Sequence, residues 1–326
     1  MKRATAVAFL ASCAVLAGCS APADLDGETT EVGLPLGPTP TAAPGQDPTP
    51  LVVDTDLGAD DLLALTFLLR HPDVHVRAIT ITATGFLDCD TGLDVLGGLI
   101  SALDASPPPV ACGRSNPGPG ARSFPAAWAA AAATGSGITP DAGALTASPE
   151  PAAQLIAGLA QSTQGLVLVA LGPLTNVADV AMQHPQDYAK LAAVHAMAGS
   201  VSGPIVDGVA EWNAAADPAA LQTVLGAHTP LTLVPEDAVP QANPDTLTIP
   251  AARAVIAAST LPAWWDLAAV AALVAPQAGR AQTAQWVLHP TAAGRLVPDG
   301  DGPVRVVRSL DGAVLEAEYA RVSASG

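Results

Sequence analysis

The sequence predicts an α/β protein with a mainly parallel central sheet flanked by helices, an open Rossmann-like sheet, and a β-hairpin near the C-terminus. Three observations carry this. Short apolar runs alternate with Ala-rich helical stretches between residues 51 and 274, the βαβα order of a parallel sheet covered on both faces. The first run, Leu51-Val52-Val53, ends in a carboxylate-rich turn, and ligands of open α/β sheets bind outside the carboxyl ends of strands. Near the end, Val304 to Leu310 and Ala313 to Val322 flank Asp311-Gly312, a two-residue hairpin signal.

In chain order, Lys2 and Arg3 precede an apolar stretch from Ala4 to Val15, closed by Leu16-Ala17-Gly18-Cys19. That is a bacterial lipoprotein signal, residues 1–18, with cleavage before Cys19 and diacylation of its thiol. A transmembrane reading fails because the apolar segment is too short to span a bilayer. The expected location is the cell surface, with the exported chain lipid-anchored to the membrane. Residues 19–49 read as a tether, because Pro35, Pro38, Pro40, Pro44 and Pro48 alternate with small residues and nothing is periodic enough to pack. The mature chain keeps Cys89 and Cys112 besides Cys19; an oxidising compartment permits their pairing, and the sequence leaves it open.

Residues 50–326 fit one α/β domain. Strand-like runs fall at 51–53, 74–82, 108–111, 165–170, 192–197 and 230–234. Helix-like runs fall at 61–70, 91–103, 149–162, 174–184, 217–227 and 263–274. No Walker or GxGxxG loop follows a strand, which argues against nucleoside triphosphates and dinucleotides. The net charge of −17 argues against nucleic-acid polymers and anionic lipid surfaces.

The chemistry concentrates in Asp54-Thr55-Asp56-Leu57-Gly58-Ala59-Asp60-Asp61. An acidic first helical turn accounts for Asp60 and Asp61 through the helix dipole, but not for Asp54 and Asp56. Carboxylates so crowded need a cation or shifted pKa values, and hard oxygen ligands suit Ca²⁺ or Mg²⁺. Three further segments stand out: Leu171-Gly172-Pro173-Leu174-Thr175-Asn176 after a buried-type strand, Ala210-Glu211-Trp212-Asn213 with Asp217-Pro218, and Trp264-Trp265-Asp266 opening an apolar helix. Singly, these read as turns and caps.

Together, over roughly residues 50 to 275, the four motifs resemble the inosine–uridine-preferring nucleoside hydrolase family. The resemblance implies a Ca²⁺ site made by Asp56, Asp61, Asp266 and the carbonyl of Leu171, with Asp56 also accepting a proton from water. It implies that Asp60, Glu211 and Asn213 hold the ribose hydroxyls of a small-molecule nucleoside; the family's tendency to dimers or tetramers points to a homo-oligomer, and the sequence leaves a monomeric tethered copy open. Cleavage of the N-glycosidic bond passes through an oxocarbenium-like state, which carboxylates stabilise. Pyrimidine-accepting members carry a His before the last calcium-binding Asp, whereas this chain has Trp265. With Trp128 it resembles the purine-specific subgroup, in which two indoles sandwich the base and ease its departure.

Two positions depart from the family pattern. Thr84-Gly85-Phe86-Leu87-Asp88-Cys89 stands where the family has Gly-Asn, making Asp88 a candidate base contact. Ile205 stands where the family has an Asn at the sugar's 5′ end, with Asp207 the nearest polar residue. The six His residues show no metal-ligand spacing. An aspartate-nucleophile phosphatase is disfavoured by Leu57-Gly58 and by a chain whose only lysines are Lys2 and Lys190. The alternative of another class is a non-catalytic nucleoside-binding lipoprotein, against which the four intact carboxylates argue.

Overall fold

The computed structural model describes residues 34–36 and 47–324. The signal segment, Cys19 and most of the tether lie outside the described residues. In chain order the elements are β1 (Leu34–Pro35), β2 (Thr49–Thr55), α1 (Ala59–Arg70), β3 (Val74–Ile81), α2 (Cys89–Ala102), β4 (Val110–Cys112), α3 (Ala126–Ala133) and α4 (Ala152–Ser162). They continue with β5 (Val167–Ala170), α5 (Thr175–Gln183), α6 (Pro185–Tyr188), β6 (Ala193–Met197), α7 (Trp212–Ala216), α8 (Pro218–Leu225), β7 (Leu231–Val234) and α9 (Pro250–Ala258). The last are α10 (Trp265–Val274), β8 (Gly279–Ala284), β9 (Trp286–Leu288), β10 (Leu296–Pro298), β11 (Val304–Leu310) and α11 (Gly312–Ala324).

A nine-stranded sheet forms in the order β1-β8-β11-β7-β6-β5-β2-β3-β4. The seven strands from β11 to β4 pair in parallel, while β8 runs antiparallel to β11 and β1 antiparallel to β8. The central strands β2, β5, β6 and β7 are buried almost throughout because both faces are covered, and their residues alternate between two cores. Leu51, Val53, Val167 and Val169 enter the core shared with α1, α2, α10 and α11; Val52, Leu168 and Ala170 enter the one beneath α4, α5 and α8. Helix α10 is apolar all round and buried from Asp266 to Leu273, which fixes the position of that aspartate at its first turn.

An antiparallel hairpin does occur in the C-terminal part, between β9 and β10. The hairpin expected about Asp311-Gly312 is different: its first arm is β11, but residues 313–322 form helix α11. Asp311 acts as a helix cap, accepting from the Ala313 amide at 3.0 Å. Leu315, Tyr319 and Val322 are buried at helical spacing, so packing on one face wins over the turn propensity of Asp-Gly. Three residues of the expected tether are also placed. Leu34–Pro35 extend the sheet beyond β8, the Leu36 amide donates to the Gly279 carbonyl at 3.3 Å, and Leu36 is buried.

Candidate active site

The carboxylate turn lies at the C-terminal edge of the sheet, between β2 and α1. Asp54 is a structural member. Its Oδ1 accepts from Thr80 Oγ1 at 2.6 Å and Asn176 Nδ2 at 2.7 Å, tying β2 to β3 and α5. Burial outweighs those bonds and pushes Asp54 up to about 7. Leu57 then takes a left-handed φ of 64°, a costly conformation for a branched side chain, which turns the chain sharply into α1. Asp61 pins the turn, accepting from the Gly58 amide at 3.0 Å, the Asp56 amide at 3.2 Å and the Thr55 hydroxyl.

Asp56 is held against two glycines. A Cβ on Gly85 would stand 2.1 Å from Asp56 Oδ2, and one on Gly172 would stand 3.0 Å from Asp56 Cγ. The sheet therefore admits the Asp56 side chain only because those positions have none. Asp60, Asp61 and Asp266 each bring a carboxylate oxygen to within 4.8 Å of the others. Asp56 adjoins them, and the charges of Asp61 and Asp60 act on it. Burial first, then these like charges, raises Asp56 and Asp266 well above the usual carboxylate range and Asp60 to about 7. Asp60 is half-buried, whereas Asp61 and Asp266 are buried.

Asp266 Oδ1 is buried without a hydrogen-bond partner. Among the described residues no Lys, Arg or His forms an ion pair with Asp56, Asp60, Asp61 or Asp266. An orphaned oxygen and uncompensated carboxylates fit a hard divalent cation. Of the expected ligand set, Asp61 and Asp266 are brought together with Asp60, and Asp56 lies beside them. The Leu171 carbonyl, at the end of β5, accepts from Asn213 Nδ2 at 2.6 Å.

Glu211 caps α7. Its carboxylate accepts from the amides of Asn213 at 2.7 Å, Gly199 at 2.7 Å and Ala214 at 2.8 Å, so that burial raises its pKa against those donors. The expected base contact, Asp88, is exposed and caps α2, with both oxygens taken by Thr91. Trp265 is half-buried against the core, and Trp128 is 48% exposed. Trp128 meets Trp212 edge-on, with centroids 5.6 Å apart. Trp212 stacks on Phe124 at 5.6 Å, and Phe124 lies 4.3 Å from Phe86. The Phe86 amide donates to Asp56 Oδ2 at 3.3 Å, so this run of rings begins at the carboxylates. Sequence reasoning missed the rings of Phe86, Phe124 and Trp212; the placing of Trp212 between Glu211 and Asn213 was the signal available. Nearby, Cys89 and Cys112 form a disulfide joining α2 to the end of β4.

A family model described as inosine-uridine preferring nucleoside hydrolase matches residues 51–316. The pyrimidine-specific ribonucleoside hydrolase RihA of Salmonella arizonae is 32% identical over 215 residues, 63% of this chain and 66% of its own. The match thus spans just under two thirds of that relative's length. Among solved structures, a purine-preferring ribonucleoside hydrolase from Gardnerella vaginalis superposes with a TM-score of 0.73 at 22% identity, covering 85% of this chain and 98% of that one. The inosine-uridine preferring nucleoside hydrolase of Bacillus anthracis gives 0.69 at 22% identity, covering 84% and 99%. At such identity the likeness shows the fold. With the family model covering most of the chain, the protein belongs to the inosine-uridine preferring nucleoside hydrolase family.

Proposed function

We propose that this protein is a Ca²⁺-dependent ribonucleoside hydrolase, releasing free base and ribose. The observation that carries the reading is the gathering of Asp60, Asp61 and Asp266 beside Asp56, with an oxygen of Asp266 unpartnered. A cation bound there supplies compensating charge and a water of lowered pKa. An all-oxygen, carboxylate-rich donor set suits Ca²⁺, which takes about six to eight oxygens, better than Mg²⁺, which keeps its waters. Asp56, fixed between Gly85 and Gly172, accepts the proton of the attacking water. As the glycosidic bond breaks, the carboxylates of Asp56 and Asp60 face the positive charge growing on the sugar. Asp60 and Glu211, with the Asn213 side chain, hold the ribose hydroxyls. A panel of inosine, guanosine, adenosine, uridine and a 2′-deoxynucleoside tests this, with chelator and with calcium restored. Base release that stops in EDTA and returns with Ca²⁺ is expected. Nucleoside binding without base release would favour a receptor, and an unaltered rate in EDTA would remove the metal.

The same reading favours purines. Trp265 directly precedes Asp266, and the rings of Phe86, Phe124, Trp212 and Trp128 offer a wide stacking surface. Two histidines of the fold are engaged elsewhere: His71 pairs with Glu318, and His195 bonds the Ala269 carbonyl while burial pushes it down to about 4. A purine accepts a proton at N7 and gains more from stacking. The RihA relative is named pyrimidine-specific and the Gardnerella structure purine-preferring, so base choice needs its own measurement. Trp265→Ala is expected to slow inosine turnover about ten- to a hundredfold with calcium still bound; uridine cleaved as fast as inosine would refute the preference. Anchoring through a lipidated Cys19 belongs to the proposal, and detergent partitioning against Cys19→Ser tests it.

A further inference from the structure

One polar side chain stands in the segment that brings Gly85 and Phe86 to Asp56. Residues 83–87 are Ala, Thr, Gly, Phe and Leu, so only Thr84 can hold that segment by a side-chain hydrogen bond. The segment starts from a firm anchor after β3. There the Thr82 amide donates to the Thr55 carbonyl at 2.9 Å, and the Thr82 hydroxyl donates to the Pro173 carbonyl at 3.0 Å. From Ala83 to Leu87 the chain is irregular. Thr84 Oγ1 lies 2.7 Å from Thr175 Oγ1, at the start of α5, with Thr82 Oγ1 the more distant neighbour at 3.2 Å. Thr175 Oγ1 in turn donates to Asp217 Oδ2 at 2.8 Å.

A hydroxyl has one proton, and that fixes the direction of the relay. Thr175 gives its proton to a carboxylate oxygen, so in the pair of threonines it accepts and Thr84 donates. Asp217 is a rigid terminus for such a chain. It is fully buried, accepts from the Gly118 and Ala220 amides at 3.1 Å each, and faces Arg114 Nη2 at 3.5 Å. Arg114 Nε also reaches Asp179 Oδ2 at 3.0 Å, so one guanidinium ties α5 to the residue that caps α8. The other end of the relay bears on Asp56. Gly85 lies so close to Asp56 that a side chain there would overlap the carboxylate, and the Phe86 amide donates to Asp56 Oδ2 at 3.3 Å. Any shift of the segment therefore opens the space beside Asp56 or withdraws that donor.

We propose that Thr84 and Thr175 are positioning residues for Asp56: their hydroxyls transmit the anchorage of Asp217 and Arg114 to the Gly85–Phe86 segment, which fixes where Asp56 Oδ2 points. This deepens the nucleoside hydrolase reading and rests on it, because there Asp56 accepts the proton of the attacking water. The relay is separable from packing. Valine matches threonine in shape but neither gives nor takes a hydrogen bond, whereas serine keeps the hydroxyl.

The test compares the full-length protein with its Thr84→Val, Thr84→Ser and Thr175→Val variants and with the double Thr84→Val, Thr175→Val variant. Inosine turnover and hydrogen exchange of the backbone amides in residues 83–87 are measured on each. Thr84→Val leaves the bond from Thr175 to Asp217 in place, so it probes the link without stranding a buried carboxylate. It is expected to lower kcat about tenfold, to change KM less, and to speed exchange in the segment about tenfold. Thr84→Ser should restore most of both. Because the hydroxyls act in series, the double variant should be no slower than Thr175→Val alone. A Thr84→Val variant with native kcat, a Thr84→Ser variant that rescues nothing, or losses that multiply in the double variant would overturn the assignment. Exchange needs no turnover, which separates the two readings. A protein that releases no base yet shows the serial exchange pattern refutes hydrolysis and keeps the relay; one that cleaves inosine while Thr84→Val leaves exchange and kcat unaltered does the reverse.

Discussion

Removing the Cys89–Cys112 disulfide is the perturbation whose size the structure fixes best. The two cysteines are 23 positions apart, and closing a loop of that length in the unfolded chain is worth about 3 kcal/mol on the chain-entropy account. For a domain of this size, each kcal/mol moves the melting temperature by about 2 °C, so Cys89→Ser with Cys112→Ser should melt roughly 6 °C lower. Calorimetry of the oxidised protein, the reduced protein and the double variant measures it, with the last two expected to coincide. The bond has a functional reach as well. Cys89 opens α2 just beyond the segment that carries Gly85 and Phe86 to Asp56, so its loss should raise KM for a nucleoside more than it lowers kcat. Identical melting with and without reductant, or two titratable thiols in the native protein, would refute the reasoning.

Three other outcomes follow from the geometry. Asp56→Asn and Asp266→Asn should each lower nucleoside cleavage by about a thousandfold or more, with elemental analysis showing less than one calcium per chain for Asp266→Asn. Asp60, raised to about 7 in the fold from an ordinary 3.8, binds more protons folded than unfolded, so without a cation it costs stability as pH rises between those values. The gap between melting temperatures in Ca²⁺ and in EDTA should therefore widen from about pH 4 to about pH 7; a constant gap would contradict it. Glu318 behaves oppositely: burial raises it, but hydrogen bonds with His71 and Arg321 prevail and hold it at about 2. Its contribution is present above its unfolded value of 4.5 and lost as pH falls toward 2, so the melting difference from Glu318→Gln should be full at pH 6 and vanish near pH 2.

The central strands β2, β5, β6 and β7 were legible because each is a short run buried on both faces, and the helices between the strands because their apolar patterns are long. Asp311-Gly312 was ambiguous: Asp suits both a hairpin turn and a helix cap, and only the packing of Leu315, Tyr319 and Val322 decides. The five-residue α7 and the three-residue β9 and β10 are too short for periodicity to show. Within the site, Asp56, Asp60, Asp61 and Asp266 declared themselves by carboxylate type at strand and helix ends. The ring series could not, because Phe86, Phe124 and Trp212 come from separate segments and meet only in the fold.

The short pairing of Leu34–Pro35 with β8 bears on how the protein can be handled. An open sheet has two flanks at which a foreign strand can add, and here one ends in the three-residue β4, too short to recruit much. The other would end in the six-residue β8, and β1 occupies part of it while Leu36 fills the hollow over Gly279. A recombinant chain trimmed to begin at Thr49 would keep every carboxylate of the site yet uncover that flank and hollow. Self-association of such a chain would then reflect the trimming, and a chain begun ahead of Gly33 is the one whose solution behaviour represents the fold.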